Sequence, residues 1–286
     1  MSGPIQEFAE IFSVNKAGAY FQFTVVAPRM ASAFHPGQFV AIAVGGPNSA
    51  MLLRRAFAIY DATPTGEYAG TVQFVVAEHG PGTQWLVRQK QGEKLDIVGP
   101  LGTPFEQPDS PLPAVLVGGG YGSAPLIPLA RQLISNGSDV EIVIGASTES
   151  RLFGQLAARR TVGKVVITTD DGTAGHRGQV TDVLPDAIDR VHAQTIYACG
   201  PMPMLRAVGD VAHRYGITAQ VAVEEAMACG IGVCMTCVLP VWGHDGKARF
   251  VRSCVDGPVF EADRVRWDDV GRVPDDLVGA DAMKGH

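Results

Sequence analysis

The chain has 286 residues, of which 46% are hydrophobic and 18% charged, and its formal net charge is -6. This composition fits a globular protein that is long enough for more than one core. An acidic chain without a concentrated basic stripe does not suit a nucleic-acid surface, so we expect no DNA or RNA partner. No run approaches the roughly 18 apolar residues of a membrane span, and the N-terminus lacks a signal-peptide pattern. We therefore expect a cytoplasmic protein without a membrane partner.

Short β-rich runs separated by glycine and proline occupy the first third of the chain. They lie at 7–14, 20–28, 38–46, 56–61, 71–79 and 93–102. Several strands at such spacing predict a small antiparallel barrel, which we assign to residues 1–108.

A second pattern begins after the proline-containing run at 109–113. Short apolar strands are predicted at 114–119, 140–146, 164–169 and 195–200, and helical stretches lie between or after them at 124–137, 150–160 and 203–216. Alternation of strand, turn and helix predicts a doubly wound α/β domain over 109–222. Together with the barrel, this predicts an α+β multidomain architecture.

Four of the five cysteines lie in the last fifth of the chain. Cys229, Cys234 and Cys237 follow the pattern C-x4-C-x2-C, and Cys254 stands further on. This is the plant-type spacing of [2Fe-2S] ligands, and it predicts a small cluster domain over 223–264 and a tail over 265–286. The alternatives are a set of buried free thiols and a zinc site, although zinc sites normally use two C-x2-C knuckles and only one is present.

Two glycine-containing turns in the second domain indicate a dinucleotide site. The first follows a predicted strand and opens a helix, and its glycines are Gly118, Gly119, Gly120 and Gly122. Such a loop can approach a pyrophosphate, but Ser123 replaces the third fingerprint glycine, so a tight packing turn is the alternative. The second turn, Cys199, Gly200 and Pro201, follows another strand at the edge where open α/β sheets bind ligands.

The barrel region carries residues that could bind an anion. Arg54 and Arg55 lie beside an apolar strand, and Gly82 with Thr83 belongs to a GPGT turn. An arginine fork and a glycine-threonine turn are good anion ligands. The alternative is that the arginines are solvated edge charges and the turn is an ordinary one.

Taken in order, these segments resemble the ferredoxin-reductase-like superfamily and, within it, the electron transfer subunits of NAD-dependent dihydroorotate dehydrogenase. The resemblance covers about residues 5–264. It is carried by PGQFV at 36–40, LLRRAFAI at 52–59, GPGT at 80–83, GEKLDIVGPLGTPF at 92–105, VGGGYGSAPL at 117–126, TTDDGTAGHRGQVTDVL at 168–184, CGPMPML at 199–205, EEAMACGIGVCMTCV at 224–238 and CVDGPVF at 254–260.

The resemblance implies three cofactors, namely FAD, NAD(H) and a [2Fe-2S] cluster. It places FAD against barrel residues Arg55, Ala56, Phe57, Ala58, Val75, Val76, Ala77, Gly82 and Thr83. Ala58 stands where the family commonly has a serine whose hydroxyl can meet the flavin N5. The choice between NAD and NADP stays open, because Glu149 would favour a free 2'-hydroxyl and Arg151 could accept a 2'-phosphate.

No catalytic side chain is predicted, because a flavin between a two-electron donor and a one-electron acceptor needs no protein acid or base. Asp170, Asp171 and His176 are interpreted as a solvated turn. The resemblance further implies an FMN-containing dihydroorotate dehydrogenase catalytic subunit as partner, in a heterotetramer. Alternatives are a reductase subunit of a ferredoxin:NADP oxidoreductase, sulfhydrogenase or sulfite reductase complex, and a non-catalytic redox sensor or zinc-bearing binding module.

Overall fold

A computed structural model describes residues 3–46, 48–65 and 70–278 of the chain. Its first part is a closed barrel of six antiparallel strands in the order β1-β2-β5-β4-β3-β6. The elements are β1 (Ile5–Ala17), β2 (Tyr20–Val26), α1 (Pro28–Ala33), β3 (Phe39–Ile42), β4 (Arg55–Thr63), β5 (Thr71–Ala77), α2 (Pro81–Val87) and β6 (Lys94–Leu101).

Aromatic and β-branched residues that alternate along these strands fill the barrel. Phe23 and Phe74, on neighbouring strands, stack with ring centroids 5.2 Å apart, and both are fully buried. Ile11, Ile42 and Ile59 complete this core. Because alternate residues of a strand point to opposite faces, the same pattern leaves the other side chains of β4 and β5 free to line a surface outside the barrel.

The second part is a mixed, mainly parallel sheet of seven strands, ordered β10-β9-β8-β7-β11-β12-β15. Its elements are β7 (Ala114–Gly119), α3 (Leu126–Ser135), β8 (Val140–Ala146), α4 (Gln155–Thr161), β9 (Val165–Thr169), β10 (His176–Arg177), α5 (Val180–Val191), β11 (Thr195–Cys199), α6 (Met202–Tyr215) and β12 (Thr218–Ala222). Strand order reverses at β7 and β11, which is where doubly wound sheets bind ligands.

The cysteine-containing segment shares its core with the sheet. Its hairpin consists of β13 (Val238–Trp242) and β14 (Ala248–Arg252), and β15 (Val259–Glu261) pairs antiparallel with β12 as the last strand of the sheet. Leu239 and Val241 pack with Val208 and Val211 of α6 in one buried cluster. The predicted fold class is confirmed. None of the helices in the described ranges is both long and apolar enough to span a bilayer.

Candidate functional site

One cavity of about 1000 Å³ lies where the barrel, the carboxyl ends of the parallel strands and the cysteine segment meet. Most of the predicted cofactor residues contribute to its wall, namely Arg55, Ala56, Phe57, Ala58, Val75, Ala77, Thr83, Gly119, Gly120, Gly122, Cys199, Gly200 and Pro201. Three predicted residues lie behind the wall. Val76 is in the barrel core, Gly82 is buried beside Arg55, and Gly118 is packed against Ser123.

The two arginines at the start of β4, Arg54 just before the strand and Arg55 as its first residue, have different environments. Arg54 is bound to Asp96, with 2.7 Å between the guanidinium Nη2 and the carboxylate Oδ2. Arg55 lines the cavity and passes over Gly82, where a Cβ atom would lie 2.9 Å from the arginine Nε. Thr83 also lines the cavity, although its hydroxyl accepts hydrogen bonds from the backbone N–H groups of His79 and Gly80. Arg55 is therefore the arginine of the pair that is available to an anion in the cavity.

The glycine loop and the Cys199 turn touch each other at the bottom of the cavity. A Cβ atom on Gly122 would lie 2.5 Å from the carbonyl oxygen of Cys199, so only glycine permits this contact. Ser123, at the departure from the nucleotide fingerprint, is fully buried, and its hydroxyl donates to the carbonyl oxygens of Gly120 and Phe153. The Ser123 side chain therefore stabilises the conformation of the glycine loop, although it stands where the nucleotide-binding fingerprint has a glycine.

Tyr121 joins all three parts of the molecule at the cavity wall. Its backbone belongs to the glycine loop, its ring meets that of Tyr20 of the barrel edge to face at 5.5 Å, and its hydroxyl donates to the Glu224 carboxylate at 2.8 Å. Burial, followed by the charge of Glu224, raises the pKa of the Tyr121 phenol. The phenol therefore stays a hydrogen-bond donor at all physiological pH values.

Cys199 lies apart from the other cysteines, on the cavity wall at the end of β11. Burial, with a smaller contribution from Glu224, raises the pKa of its thiol to about 12. A neutral thiol is a weak nucleophile and a poor metal ligand. Cys199 therefore presents a small, uncharged group to whatever occupies the cavity.

The four remaining cysteines form an outer and an inner pair. Hydrogen bonds from Thr236 and then from Cys229 lower the pKa of the exposed Cys234 to about 6. Cys237 and Cys254 are each 2% exposed, and the backbone N–H of Cys254 lies 3.4 Å from the Cys237 Sγ. Burial, then the hydrogen bond with Cys237, raises the pKa of Cys254 to about 12.

This donor set suits a dinuclear cluster. In the described part of the chain, no three His, Cys, Asp or Glu side chains converge as a site for a single metal ion. Four thiols in two pairs can supply two ligands to each of two irons. Gly230 brings the loop onto the barrel, because its φ is +72° and a Cβ there would lie 3.3 Å from both Ala41 and Leu101.

A single layer of apolar side chains separates the inner cysteine pair from the cavity. Cys237 and Cys254 pack with Phe39, Ala41 and Leu101, and Met227 lies against this group. Phe39 and Met227 also line the cavity. Phe39 is paired in register with Ala58, whose small exposed side chain faces the cavity. Sequence patterns did not reveal Phe39 or Met227, because both are apolar residues of a kind found throughout any core.

The remaining candidates divide between the cavity and the surface. Arg151 and Asp170 line the cavity, whereas Glu149, Asp171 and His176 do not. The Asp171 carboxylate accepts hydrogen bonds from the hydroxyl and backbone N–H of Thr173, as a turn residue does.

Comparison with known proteins identifies the family of this chain. Residues 224–266 match the iron-sulfur cluster binding domain of dihydroorotate dehydrogenase B, and residues 116–210 match the oxidoreductase NAD-binding domain. The NAD(+)-type dihydroorotate dehydrogenase B electron transfer subunit of Caldanaerobacter subterraneus subsp. tengcongensis is 36% identical over 81% of this chain and 87% of its own. Its counterpart from Geobacillus thermodenitrificans is 36% identical over 86% and 92%. The chain belongs to the dihydroorotate dehydrogenase B electron transfer subunit family.

A solved structure extends the likeness over nearly the whole chain. It comes from work on flavin-based electron bifurcation by the NADH-dependent reduced ferredoxin-NADP oxidoreductase, with a TM-score of 0.79, 29% identity and coverage of 97% of this chain and 96% of that one. Membership in the family confirms an oxidoreductase subunit, and the expected cofactors FAD, NAD(H) and an iron-sulfur cluster are confirmed with it.

Proposed function

We propose that this chain couples the oxidation of dihydroorotate, by an FMN-containing catalytic subunit, to NAD+ in pyrimidine biosynthesis. Two relatives that are 36% identical to this chain over most of its length are named as electron transfer subunits of dihydroorotate dehydrogenase B (NAD(+)), which supports the proposal. When bound, FAD exchanges a hydride with the nicotinamide and exchanges electrons singly with an iron-sulfur cluster. The protein residues position these groups, separate them from water and hold the partner.

The observation that carries the proposal is the shared wall between the cavity and the inner cysteine pair. Phe39 and Met227 belong both to the cavity lining and to the layer around Cys237 and Cys254. The backbone N–H and the hydroxyl of Thr103 donate to carbonyl oxygens of Gly257 and Val255, which fastens the cysteine segment to the end of β6. A flavin in the cavity would therefore be separated from the cluster by one dry layer of side chains.

We assign FAD and the nicotinamide dinucleotide to different parts of the cavity wall, and the cluster to the four cysteines beside it. Arg55, beside Gly82 and Thr83, would hold the FAD phosphates. Ala56, Phe57, Ala58, Val75 and Ala77 would line the flavin ring, and Val76 lies behind them in the barrel core. The nicotinamide dinucleotide would lie across the two turns, on Gly119, Gly120, Gly122, Cys199, Gly200 and Pro201, and Gly118 lies behind them against Ser123. Cys229 and Cys234 would hold one iron, and Cys237 and Cys254 would hold the other. Among the described residues, we expect no side chain to act as a catalytic acid or base.

These placements divide the chain into functional units. The FAD barrel covers 1–108, the NAD domain 109–222, the cluster domain 223–264 and the C-terminal tail 265–286. Positions 279–286 of the tail, like 1–2, 47 and 66–69 of the barrel, lie outside the described residues. The protein works in the cytoplasm.

The partner binds over the outer cysteine pair. Around Cys234 the apolar side chains of Ile231, Val233, Met235 and Val255 are 47%, 74%, 57% and 41% exposed. Contiguous exposed apolar residues at a redox centre favour a protein interface, since a partner would desolvate both the patch and the cluster. Two copies of each subunit would form the heterotetramer.

The test is co-expression with an FMN-containing dihydroorotate dehydrogenase catalytic subunit. The purified complex should contain FMN, FAD and a [2Fe-2S] spectrum, and should reduce NAD+ with dihydroorotate. Val233→Asp in the exposed patch should prevent complex formation while leaving NADH-dependent ferricyanide reduction intact. A catalytic subunit that reduces NAD+ equally well without this chain would contradict the proposal.

A second candidate is a reductase subunit of a ferredoxin:NADP oxidoreductase complex. The 97% coverage of a chain from such an enzyme, at 29% identity, supports it. The two candidates differ in the electron carrier, so the same preparation assayed with reduced ferredoxin in place of dihydroorotate separates them.

A further inference from the structure

The hairpin of β13 and β14 carries both inner cysteines at its open end. Cys237 directly precedes β13, and Cys254 follows the last residue of β14 by two positions. Just beyond the last strand pair, the backbone N–H of Ser253 donates to the carbonyl oxygen of Cys237 at 2.8 Å. The distance between the two inner thiols therefore depends on the pairing of these two strands.

A hairpin of two strands needs support from other parts of the chain, because an isolated one is only marginally stable in water. One of its faces is covered by α6, against which Leu239 and Val241 pack. Side chains alternate along a strand, so Trp242, Ala248 and Phe250 lie on the opposite face. This second face must be covered by another segment.

The C-terminal tail supplies that segment, and we call its residues 266–278 the strap. At the beginning of the strap, the backbone N–H of Arg266 donates to the carbonyl oxygen of Pro240 in β13 at 3.0 Å. At its end, the backbone N–H of Val278 donates to the carbonyl oxygen of Ala248 in β14, also at 3.0 Å. The strap is therefore hydrogen-bonded to both strands of the hairpin.

Two side chains of the strap cover the second face of the hairpin. Leu277 is 7% exposed and packs with Ala248, and Phe250 lies against this pair. The guanidinium carbon of Arg266 lies 4.4 Å from the ring centroid of Trp242, which is a cation–π distance. The three side chains that α6 leaves uncovered thus have their partners in the strap.

Arg266 also joins the two ends of the strap. Its Nε lies 2.7 Å from the Asp269 Oδ2, and its Nη1 lies 2.9 Å from both carboxylate oxygens of Asp276. The arginine side chain is only 12% exposed, so protein atoms surround most of this network. The ion pair with Asp276 holds the end of the strap, next to Leu277, against the hairpin.

We infer that the strap determines how long the protein retains its iron-sulfur cluster. The inference rests on the proposed cluster ligands and adds the segment that keeps the inner pair in place. The strap contains no cysteine or histidine, so it acts through the hairpin and not as a ligand. Local opening of the strap would allow the two strands to separate, and Cys237 and Cys254 would then move apart and expose the irons to a chelator.

The test measures release of the cluster from the chain alone, loaded with FAD and the cluster. With excess EDTA under anaerobic conditions, Leu277→Asp should lose the cluster absorbance at least about 5-fold faster than the wild type, because a buried charge detaches the end of the strap. Val273→Asp is the matched control, since Val273 is an exposed residue of the same strap. Its release rate should stay within about 2-fold of the wild-type rate.

Asp276→Asn is a milder variant, because the side chain of Asp276 is 55% exposed and its replacement leaves no buried charge. It should accelerate cluster release about 2-fold by weakening the contact with Arg266. About 1 M salt should narrow the difference between this variant and the wild type, since salt weakens the same ion pair in the wild type.

Release of FAD, followed by flavin fluorescence in the same samples, distinguishes a local strap from a general loss of stability. FAD release should be unchanged in all three variants, because the residues assigned to the flavin belong to the barrel. Unchanged cluster release in Leu277→Asp and Asp276→Asn, equal acceleration in Val273→Asp, or FAD release that accelerates in step with cluster loss would overturn the inference. The assay contains no catalytic subunit, so a failure of dihydroorotate coupling would leave its outcome unaffected.

Discussion

The Tyr121 hydroxyl donates a hydrogen bond to the Glu224 carboxylate across 2.8 Å, and this contact ties the glycine loop to the start of the cysteine segment. The nucleotide loop and the chain that leads to the cluster therefore hold each other in place. Tyr20 supports the same tyrosine from the barrel side.

Replacing Tyr121 with Phe should lower kcat/KM for NADH by about 2- to 10-fold, because one hydrogen bond that positions the loop is lost. Stability should fall by less than about 1 kcal/mol, since Glu224 is exposed and water can replace the lost donor. Ferricyanide reduction and thermal unfolding measure the two effects. Tyr215→Phe, in the exposed last residue of α6, is the control, and equal kinetics in both variants would contradict the positioning role.

Serine substitution should distinguish the outer and inner cysteines. Cys234→Ser and Cys254→Ser should both abolish the cluster spectrum and leave NADH-dependent ferricyanide reduction largely intact. Cys254→Ser should also destabilise the protein by about 1–3 kcal/mol, because it places a hydroxyl in the apolar layer beside Phe39 and Leu101. Denaturant unfolding of the two purified variants measures the difference. Loss of flavin turnover in Cys234→Ser would show that cluster and flavin sites are not separable.

A methyl group at Gly122 should disrupt the contact between the two turns. The added Cβ would lie 2.5 Å from the Cys199 carbonyl oxygen, which is backbone and cannot move aside alone. We expect Gly122→Ala to cost about 1–3 kcal/mol in stability and to raise the KM for NADH. Gly163→Ala is the control, since nothing lies within 4 Å of the atom it adds. Similar behaviour of the two variants in thermal unfolding and NADH titration would be evidence against the close contact.

Ala58→Ser should restore the hydroxyl that the family commonly has beside the flavin. The side chain is exposed to the cavity, so the extra oxygen has room and stability should change by less than about 0.5 kcal/mol. One new hydrogen bond at the flavin should raise the rate of flavin reduction by NADH about 2- to 10-fold in stopped-flow experiments. A slower rate would mean that this chain positions the flavin without the contact.

Cys199 should make the folded state sensitive to alkaline pH. Its thiol pKa is raised from the ordinary value of 9.0 to about 12 in the fold, so between these values the native state holds a proton that the unfolded state has lost. Stability that is fully present below pH 9 should therefore decrease as pH rises, by at most about 1.4 kcal/mol per pH unit. Thermal unfolding at pH 7, 9 and 10 should show a smaller decline in Cys199→Ala. Parallel curves would rule out the thiol as the cause.

Local patterns in the sequence predicted much of this architecture. The strand at 114–119 and that at 140–146 agree with β7 and β8 residue for residue, because buried parallel strands are short, continuous apolar runs bounded by turns. The four clustered cysteines and the glycine loop could also be recognised from the sequence, because the residues of each motif lie near one another in the chain. The helix α5 was not predicted, and Pro185 inside it weakens the helical pattern.

Long-range pairing could not be read in the same way. Nothing in Val259–Glu261 indicates that it pairs with Thr218–Ala222 about 40 residues earlier, and the apolar layer at Phe39 and Met227 joins positions far apart in the chain. The sequence showed Tyr121 only as a residue inside the glycine loop and predicted no role for its side chain. Its importance depends on two rings and a carboxylate that reach it from other parts of the molecule.

The antiparallel strand β15 caps the otherwise open flank of β12. A truncation that removes the cysteine segment would uncover a row of unpaired backbone amides and carbonyls, together with Val221 and the apolar face of α6. Such a fragment would be prone to edge-to-edge aggregation, so a soluble nucleotide domain should require residues up to at least 261.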